Sequence, residues 1–301
     1  MEIGKSAKTS FTHGSRVLWS ELEAGVFVDT NVSEVTLPAG TYRSLMRYEF
    51  GKLCLVRVAS QNDEALLLPD PIVANPITEA QRFWHAGDDF RRLGFVHKRG
   101  FLLMGPAGCG KTSIINQVAD YVLGQLAGLV LIVDDPERAA MVLAKIRQLE
   151  PERPVLVVIE DIEAMLGHGR EEHLLSLLDG QTLVDHVLFI ATTNYPERLD
   201  RRLQARPSRF DRVEIIRPPS AEVRQAYLEK RIPGLSAAEI ERWVELSAGF
   251  SVAHLKELIL AVRCFGADLS ATAERLKAGL EQTPTSGKFI PARMGFKRTD
   301  S

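Results

Sequence analysis

The 301-residue sequence has few cysteines, no long apolar run and almost no net charge. Its three cysteines, Cys54, Cys109 and Cys264, are scattered, so their spacing fits neither a disulfide framework nor a zinc site. No stretch approaches the ~18 consecutive apolar residues of a membrane span, and the N-terminus MEIGKSAKTSFTHGS lacks the apolar core of a signal peptide. These absences exclude a disulfide-stapled secreted domain and predict a cytoplasmic protein without a membrane span.

The charges of the chain are nearly balanced, with 37 basic and 39 acidic residues and a formal net charge of −2. Such a balance gives no global attraction to nucleic acid or to an anionic lipid surface. Only the tail, residues 283–301, is locally basic. We therefore expect no nucleic-acid partner, and a tail that is mobile or docks on a protein surface.

What is present divides the chain into regions of different pattern. Residues 1–72 contain short β-rich runs broken by Gly, Pro and Asn, which predicts a small β-rich N-terminal domain. Residues 73–219 alternate strands with helices, which predicts an α/β domain with a parallel sheet between helical layers. Residues 220–282 contain four amphipathic stretches, most of them preceded by serine, and predict an all-helical C-terminal domain.

The predicted boundary between the first two regions is rich in proline. Three prolines within residues 69–76 indicate a linker, because proline resists regular structure. Thr78 and Gln81 then match a capping box, which predicts that the first helix of the α/β domain begins there.

A phosphate-binding loop follows one of the predicted strands. The stretch GPAGCGKTS fits the pattern Gly-x-x-x-x-Gly-Lys-Thr between an apolar strand and a helix, the context that this motif requires. Backbone N–H groups of such a loop surround nucleotide phosphates, its lysine reaches the β- and γ-phosphates, and its threonine hydroxyl binds Mg²⁺. The sequence thus predicts ATP and Mg²⁺ as cofactors, and we interpret the cysteine in the loop as an inert spacer. The predicted nucleotide-binding residues are Gly105, Pro106, Ala107, Gly108, Cys109, Gly110, Lys111, Thr112 and Ser113.

Two acids end a neighbouring predicted strand. The apolar run 155–159 indicates a strand buried on both faces, and Glu160 and Asp161 follow it directly. Carboxylates at the carboxyl end of a parallel strand lie where open α/β sheets bind their ligands. ATP hydrolysis needs one carboxylate to hold Mg²⁺ and another to orient or deprotonate the attacking water. We therefore expect these acids to complete the nucleotide site.

Together these motifs resemble an AAA+ ATPase of the AAA clade. The resemblance covers about residues 95–265 and rests on GPAGCGKTS, the two strand-end acids, ATTN and RLDRRLQARPSRFDR. It implies a P-loop NTPase core of three layers with a helical C-terminal lid, ATP hydrolase activity, and a homo-oligomeric ring that is usually hexameric. Within the family, the sequence is most similar to the mitochondrial AAA chaperones that translocate the folded Rieske iron–sulfur protein, without their transmembrane segment.

The resemblance also implies roles for individual residues. The family's two acids normally run Asp then Glu, whereas they run Glu then Asp here. The match places Glu160 beside Thr112 at Mg²⁺ and Asp161 at the attacking water. An alternative register makes Asp161 the metal acid and Glu163 the base. By the same match, Asn194 is the sensor that positions the water against the γ-phosphate.

Arg206 and Arg209, in the stretch RPSR, match the family's paired arginine fingers, which reach the nucleotide of the neighbouring subunit. A guanidinium keeps its charge and can stabilise the charge that spreads over the transferring phosphoryl group. Fingers that act on a neighbour require an oligomer, so the resemblance implies a closed ring.

The resemblance implies a chaperone that couples ATP hydrolysis to remodelling, translocation or disassembly of a folded protein or complex selected by the N-terminal domain. The stretch VDDPERAAM lacks the aromatic residue that protein-threading members carry after the second core strand, which favours a folded client. Two alternatives stay open. An ATP-dependent scaffold or switch with little turnover is favoured by the inverted acids, and a nucleic-acid loader or motor is favoured only by the basic tail.

Overall fold

The structure is a computed structural model of the chain, in which residues 18–23, 25–30, 36–47, 52–59, 71–166, 170–179, 185–200, 203 and 209–282 are described. The basic tail and Arg206 lie outside the described residues.

A nine-stranded sheet runs through the described part of the chain. Its spatial order is β1-β2-β4-β3-β6-β7-β8-β5-β9, and each of the last five strands is parallel to its neighbours. The strands are β1 Leu18–Glu23, β2 Val26–Thr30, β3 Gly40–Arg47, β4 Lys52–Val58, β5 Lys98–Met104, β6 Leu129–Ile132, β7 Val155–Ile159, β8 Val187–Thr193 and β9 Arg212–Ile215.

Helices occupy the connections between the parallel strands and the region after the sheet. The α-helices are α1 Pro71–His85, α2 Gly87–Arg92, α3 Lys111–Gln125, α4 Pro136–Leu149, α5 Arg170–Asp179, α6 Ala221–Arg231, α7 Ala237–Leu246, α8 Val252–Ile259 and α9 Leu269–Gln282. Short 3-10 turns span Ile162–Met165 and Pro196–Arg198, and a π-helical turn, Leu260–Cys264, follows α8.

The parallel strands are buried because helices cover both faces of the sheet. Alternate side chains of β7 enter two different cores: Val157 packs in a cluster with residues of α4 and α5, whereas Leu156 packs in a cluster with residues of α1 and α3. All residues of β7 and β8 are buried, as their continuous apolar sequences predict. The predicted α/β fold with a three-layer core is confirmed.

The N-terminal strands extend this same sheet, which corrects the prediction of a separate domain over residues 1–72. β3 pairs in parallel with β6, from Gly40 opposite Leu129 to Arg43 opposite Ile132. β4, β2 and β1 continue outward as antiparallel strands. Since backbone hydrogen bonds join the two regions, the boundary predicted near residue 72 does not divide the sheet.

The predicted linker is helical where it is described. α1 begins at Pro71 and includes Pro76. Proline is tolerated at a helix start because the first N–H groups have no partner within the helix, and Pro76 removes a single hydrogen bond further on. Thr78 is not the cap of the first helix, since its hydroxyl donates to the Ala74 carbonyl 3.0 Å away inside α1.

The helices α6 to α9 follow the sheet and confirm the predicted helical C-terminal region, here called the lid. Ser220, Ser236 and Ser251 cap α6, α7 and α8, and each side-chain oxygen accepts a hydrogen bond from a backbone N–H of the first turn. The lid has its own apolar core, in which Trp243 and Phe250 are buried. Among the described helices, none combines the length and the apolar character that crossing a membrane requires.

Candidate active site

The loop between β5 and α3 has the geometry of a phosphate cradle. Gly105 leaves β5 beside the Ile216 carbonyl, where an added Cβ would lie 2.0 Å from that oxygen, so only glycine fits. Gly110 has φ +101° at the N-cap of α3, a left-handed conformation that glycine adopts without strain. The helix therefore begins with Lys111, and its N-terminal partial positive charge faces the loop.

Lys111 is the buried cation of this cradle, with 7% of its surface exposed. Its Nζ donates to the carbonyls of Gly105 at 2.6 Å and Pro106 at 2.9 Å, and to Asn194 Oδ1 at 2.7 Å. Burial lowers the pKa of Lys111, while the nearby Cys109, Asp161 and Glu163 act in the opposite direction. Burial disfavours the charged form of Lys111, and the negative charge of a polyphosphate bound at the loop would stabilise that charged form.

The two hard-oxygen groups predicted to hold Mg²⁺ lie together. Thr112, in the first turn of α3, donates from Oγ1 to Glu160 Oε1 at 3.2 Å. Glu160 follows the last residue of β7, and both side chains are exposed at the carboxyl edge of the sheet. A hydroxyl and a carboxylate are ligands that suit Mg²⁺, which usually retains several waters and takes its other ligands from nucleotide phosphates.

Asp161 and Asn194 form a second contact beside the first. Asn194 follows β8 and donates from Nδ2 to Asp161 Oδ1 at 2.8 Å, while its Oδ1 accepts from Lys111. Asp161 has a left-handed backbone, φ 48° and ψ 56°, and its N–H donates to Thr192 Oγ1 at 3.2 Å. One asparagine thus connects the buried cation to the predicted water-activating carboxylate.

Glu163, the base of the alternative register, is also near Lys111 but has a different partner. Its Oε1 accepts the backbone N–H of Asn194 at 3.2 Å, and its Oε2 is buried without a hydrogen-bond partner among the described residues. The threonine hydroxyl bonds to Glu160 and not to Asp161, which favours Glu160 as the metal acid. The sequence predicted Glu163 only as a possible base. Its contact with the backbone of Asn194 could not be predicted, because the two residues lie 31 positions apart in the chain.

The other loop residues have simple placements. Cys109 is buried, and desolvation raises the pKa of its thiol to about 11, so the thiol is protonated at neutral pH. This favours the interpretation of an inert spacer over a redox role. Ala107 is exposed, and the Ser113 carbonyl accepts a hydrogen bond from Gln117 Nε2 within α3.

The lid touches the phosphate loop directly, as expected of a lid that packs over the nucleotide. An added Cβ on Gly108 would lie 2.6 Å from Ala253 Cβ and 2.9 Å from Ser251 Oγ. The N–H of Ala253 donates to the Gly108 carbonyl at 3.4 Å, and Ser251 Oγ lies 2.7 Å from Nδ1 of the half-buried His254. The start of α8 therefore rests on the loop that would hold the nucleotide.

Of the two predicted arginine fingers, only Arg209 is among the described residues. Arg209 is buried at 4% exposure, and its Nε and Nη2 each bond to a carboxylate oxygen of Asp179 at 2.7 Å in the same chain. In this conformation Arg209 is bound within its own chain, and its predicted contact with the nucleotide of a neighbouring subunit stays a prediction. Arg206 lies outside the described residues, so its role stays a prediction.

Comparison with known proteins agrees with this geometry. Residues 101–218 match the family described as "ATPase family associated with various cellular activities (AAA)". The chain is 31% identical over 207 residues to an ATP-dependent zinc metalloprotease FtsH from Marinobacter nauticus, covering 61% of this chain and 32% of that protein. It is 32% identical over 191 residues to a cell division cycle protein 48 homolog from Archaeoglobus fulgidus, covering 56% of this chain and 25% of that protein.

A third relative, the ATPase family gene 2 protein of Schizosaccharomyces pombe, is 32% identical over 210 residues, covering 64% of this chain and 25% of that protein. The chain thus spans between about a quarter and a third of the length of these three relatives. Residues 101–218 thus resemble the AAA ATPase domain, and this match supports the predicted ATP hydrolase class at the level of the family.

Proposed function

We propose that this chain assembles into a ring of identical copies and couples ATP binding and hydrolysis to the remodelling, translocation or disassembly of a folded protein or protein complex. The observation that carries the proposal is the hydrogen-bonded series Lys111–Asn194–Asp161 beside the Thr112–Glu160 pair. It brings a buried ammonium group, an amide and two carboxylates to one edge of the sheet, and these are the kinds of group that phosphoryl transfer to water requires.

Each group in this arrangement has a chemical task. Lys111 would exchange its carbonyl partners for the β- and γ-phosphates, because a charged oxygen is the better acceptor for a buried ammonium group. Thr112 and Glu160 would hold Mg²⁺, which when bound neutralises charge on the phosphates. Asp161 would orient the attacking water and accept its proton, and Asn194 would position that water, since its amide already contacts this carboxylate.

The ring is part of the proposal because a complete site needs a second positive charge near the γ-phosphate. Among the described residues, Lys111 is the cation at the loop, and Arg209 is held by Asp179. Arg206 of an adjoining copy is the candidate that the resemblance supplies. A head-to-tail arrangement forms a ring when the rotation between copies closes, and by resemblance to the family we propose a closed ring of six copies.

A folded client is favoured by the connection between β6 and α4. Asp135 caps α4 by accepting from the Arg138 N–H at 3.0 Å, and Pro136 occupies the first turn, so only residues 133–135 separate strand and helix. Asp134, in this connection, forms an ion pair with Arg43 of β3 at 3.0 Å. A short connection tied to the N-terminal strands and lacking an aromatic residue is poorly suited to gripping an extended chain.

The narrower resemblance, to the translocases of the folded Rieske protein, agrees with this argument and stays a prediction. The selection of the client by the N-terminal region also stays a prediction. A scaffold with little turnover is the second candidate, since the shorter Asp161 stands where the family normally has glutamate.

The proposal predicts that ATP turnover per subunit rises with protein concentration as copies assemble. Phosphate release measured across a wide concentration range, with molecular mass followed in parallel, checks this. A constant rate per subunit from a monomer would contradict the ring. Wild-type turnover no greater than that of Lys111→Ala would favour the scaffold, and stimulation of several-fold by added DNA would favour a nucleic-acid loader.

A further inference from the structure

Glu163 is the acid of the candidate site to which the proposed reaction gives no task. It lies in the 3-10 turn Ile162–Met165, just after Asp161, and is only partly exposed. Its Oε1 accepts the backbone N–H of Asn194 at 3.2 Å, and its Oε2 is buried without a hydrogen-bond partner among the described residues. Glu160 and Asp161, in contrast, are exposed at the carboxyl edge of the sheet. With one oxygen bonded to the backbone and the other enclosed, Glu163 is poorly placed to bind Mg²⁺ or a water.

Asn194 lies where the sheet no longer holds the backbone. The pairing of β8 with β5 ends at Thr193, and its pairing with β7 ends at Ala191. Asn194 is therefore beyond both ladders, and its N–H donates to Glu163 instead. A backbone N–H that leaves a sheet needs another acceptor, since an unpaired one that is shielded from water is costly. Glu163 thus continues the support of the strand by one residue.

A second bond joins the same two segments in the opposite direction. The N–H of Asp161 donates to Thr192 Oγ1 at 3.2 Å. Asp161 has a φ of 48°, a left-handed conformation that is uncommon for residues other than glycine and is maintained by the contacts around it. The chain then enters the 3-10 turn, which brings Glu163 to the end of β8. The two bonds hold the start of this turn and the end of the strand to each other.

The side-chain contacts of Asn194 make the position of its backbone important. Its Oδ1 accepts from Lys111 at 2.7 Å, and its Nδ2 donates to Asp161 Oδ1 at 2.8 Å. Because the side chain of asparagine is short, it cannot keep both contacts if its backbone moves. Glu163 is also close to the cation: burial lowers the pKa of Lys111, and Glu163 is among the nearby groups that act in the opposite direction.

We propose that Glu163 is a positioning residue: it fixes the backbone of Asn194, and through it the amide that joins Lys111 to Asp161, without contacting the nucleotide. The proposal rests on the proposed function, in which Asn194 and Asp161 place the attacking water. The group that matters is then the acceptor oxygen of Glu163, and not its charge or its basicity. A misplacement of about 1 Å among positioning groups can lower a rate about 10²-fold.

Two substitutions separate the acceptor oxygen from the charge. Glu163→Gln keeps an oxygen that can accept the N–H of Asn194, whereas Glu163→Ala removes it. We expect kcat to stay within about threefold of the wild type in Glu163→Gln and to fall about tenfold or more in Glu163→Ala. KM for ATP should stay within about twofold in both, because the phosphate loop is intact. An equal loss of activity in the two variants would overturn the proposal.

The matched control is Glu241→Ala, the same change at an exposed position of α7, which should leave kcat and KM unchanged. A cooperative melt shows whether Glu163→Ala is folded. If it is not, Glu163→Leu takes its place, because leucine lacks the acceptor but fills a similar volume.

A double-mutant cycle tests whether Glu163 acts through Asn194. Residues of one hydrogen-bonded network have effects that do not add. In the Asn194→Ala background, Glu163→Ala should lower kcat by no more than about twofold, because the amide that Glu163 positions is already gone. A further fall as large as in the single variant would show that Glu163 has an independent role, and would overturn the proposal.

The contact can also be measured without nucleotide, which separates it from the proposed function. Asparagine-selective ¹⁵N labelling reports the Asn194 amide, whose signal is identified by its loss in Asn194→Ala. Exchange of this N–H with solvent deuterium should be at least about tenfold faster in Glu163→Ala than in the wild type and in Glu163→Gln. Unchanged exchange in a folded Glu163→Ala would overturn the proposal. If the wild type did not hydrolyse ATP, the proposed function would fail, and this measurement would still decide whether Glu163 holds Asn194.

Discussion

Asp161→Asn is expected to reduce phosphate release by about 10²–10⁴-fold, the usual contribution of a positioned general base. The amide cannot accept a proton, yet it keeps the shape of the carboxylate and can still contact Asn194, which donates to Asp161 at 2.8 Å. ATP binding should change by less than about threefold, because the phosphate-binding groups are untouched. Single-turnover hydrolysis and equilibrium binding of ATP, measured on the same preparation, separate the two effects.

The matched control for this prediction is Asp120→Asn, the same change on the exposed side of α3. It should leave both hydrolysis and binding unchanged. The alternative register is tested with Glu163→Gln. If hydrolysis survived in Asp161→Asn within a few-fold and vanished in Glu163→Gln, Glu163 would be the base and the assignment of Asp161 would be wrong.

Lys111→Ala is expected to weaken ATP binding by at least about 100-fold and to abolish measurable turnover. A buried ammonium that bonds two phosphates contributes roughly 1.5–3 kcal/mol per charged hydrogen bond, and no other cation among the described residues occupies this loop. Isothermal titration with ATP and Mg²⁺ measures the loss. Lys230→Ala, which removes the same side chain from an exposed position of α6, should bind ATP as the wild type does.

The folded state of Lys111→Ala must be checked separately, since the side chain is buried and satisfies the carbonyls of Gly105 and Pro106. A circular dichroism spectrum and a cooperative melt would show that the lost affinity is local. Unchanged ATP affinity in a folded variant would mean that the loop does not hold the phosphates through Lys111.

The central sheet and the nucleotide site could be predicted because their signals are local. The apolar run of β7 is continuous, the acids follow it at once, and the glycine-rich loop stands between a strand and a helix. Parallel strands end at one edge, so Thr112, Glu160, Asp161 and Asn194 were expected to meet there, and the hydrogen bonds place them together.

The features that were missed depend on partners distant in sequence. The pairing of β3 with β6 joins Arg43 to a strand about ninety residues later, and no local pattern states which sheet an N-terminal strand will extend. The ion pair of Arg209 with Asp179 likewise spans 30 residues. The RPSR motif assigns the same role to both arginines and gives no sign that Arg209 is buried and paired with Asp179.

The proline-rich start of α1 was missed for a different reason. Proline lowers helix propensity strongly, so residues 69–76 favoured a linker. The amphipathic face of α1 outweighs that preference, because Ala80 and Phe83 bury themselves against the helices and strands of the core. Packing of an apolar face stabilises a helix more than propensity does.

The most direct measurement of the central claim, a site completed by two copies of the chain, is complementation between two inactive variants. Lys111→Ala lacks a working phosphate loop but keeps Arg206, whereas Arg206→Ala keeps the loop. Mixed in equal amounts before ATP is added, they should recover about a quarter of the wild-type rate per subunit, since one random junction in four pairs an intact loop with an intact arginine. A mixture whose rate equals the mean of the two separate rates would contradict the shared site.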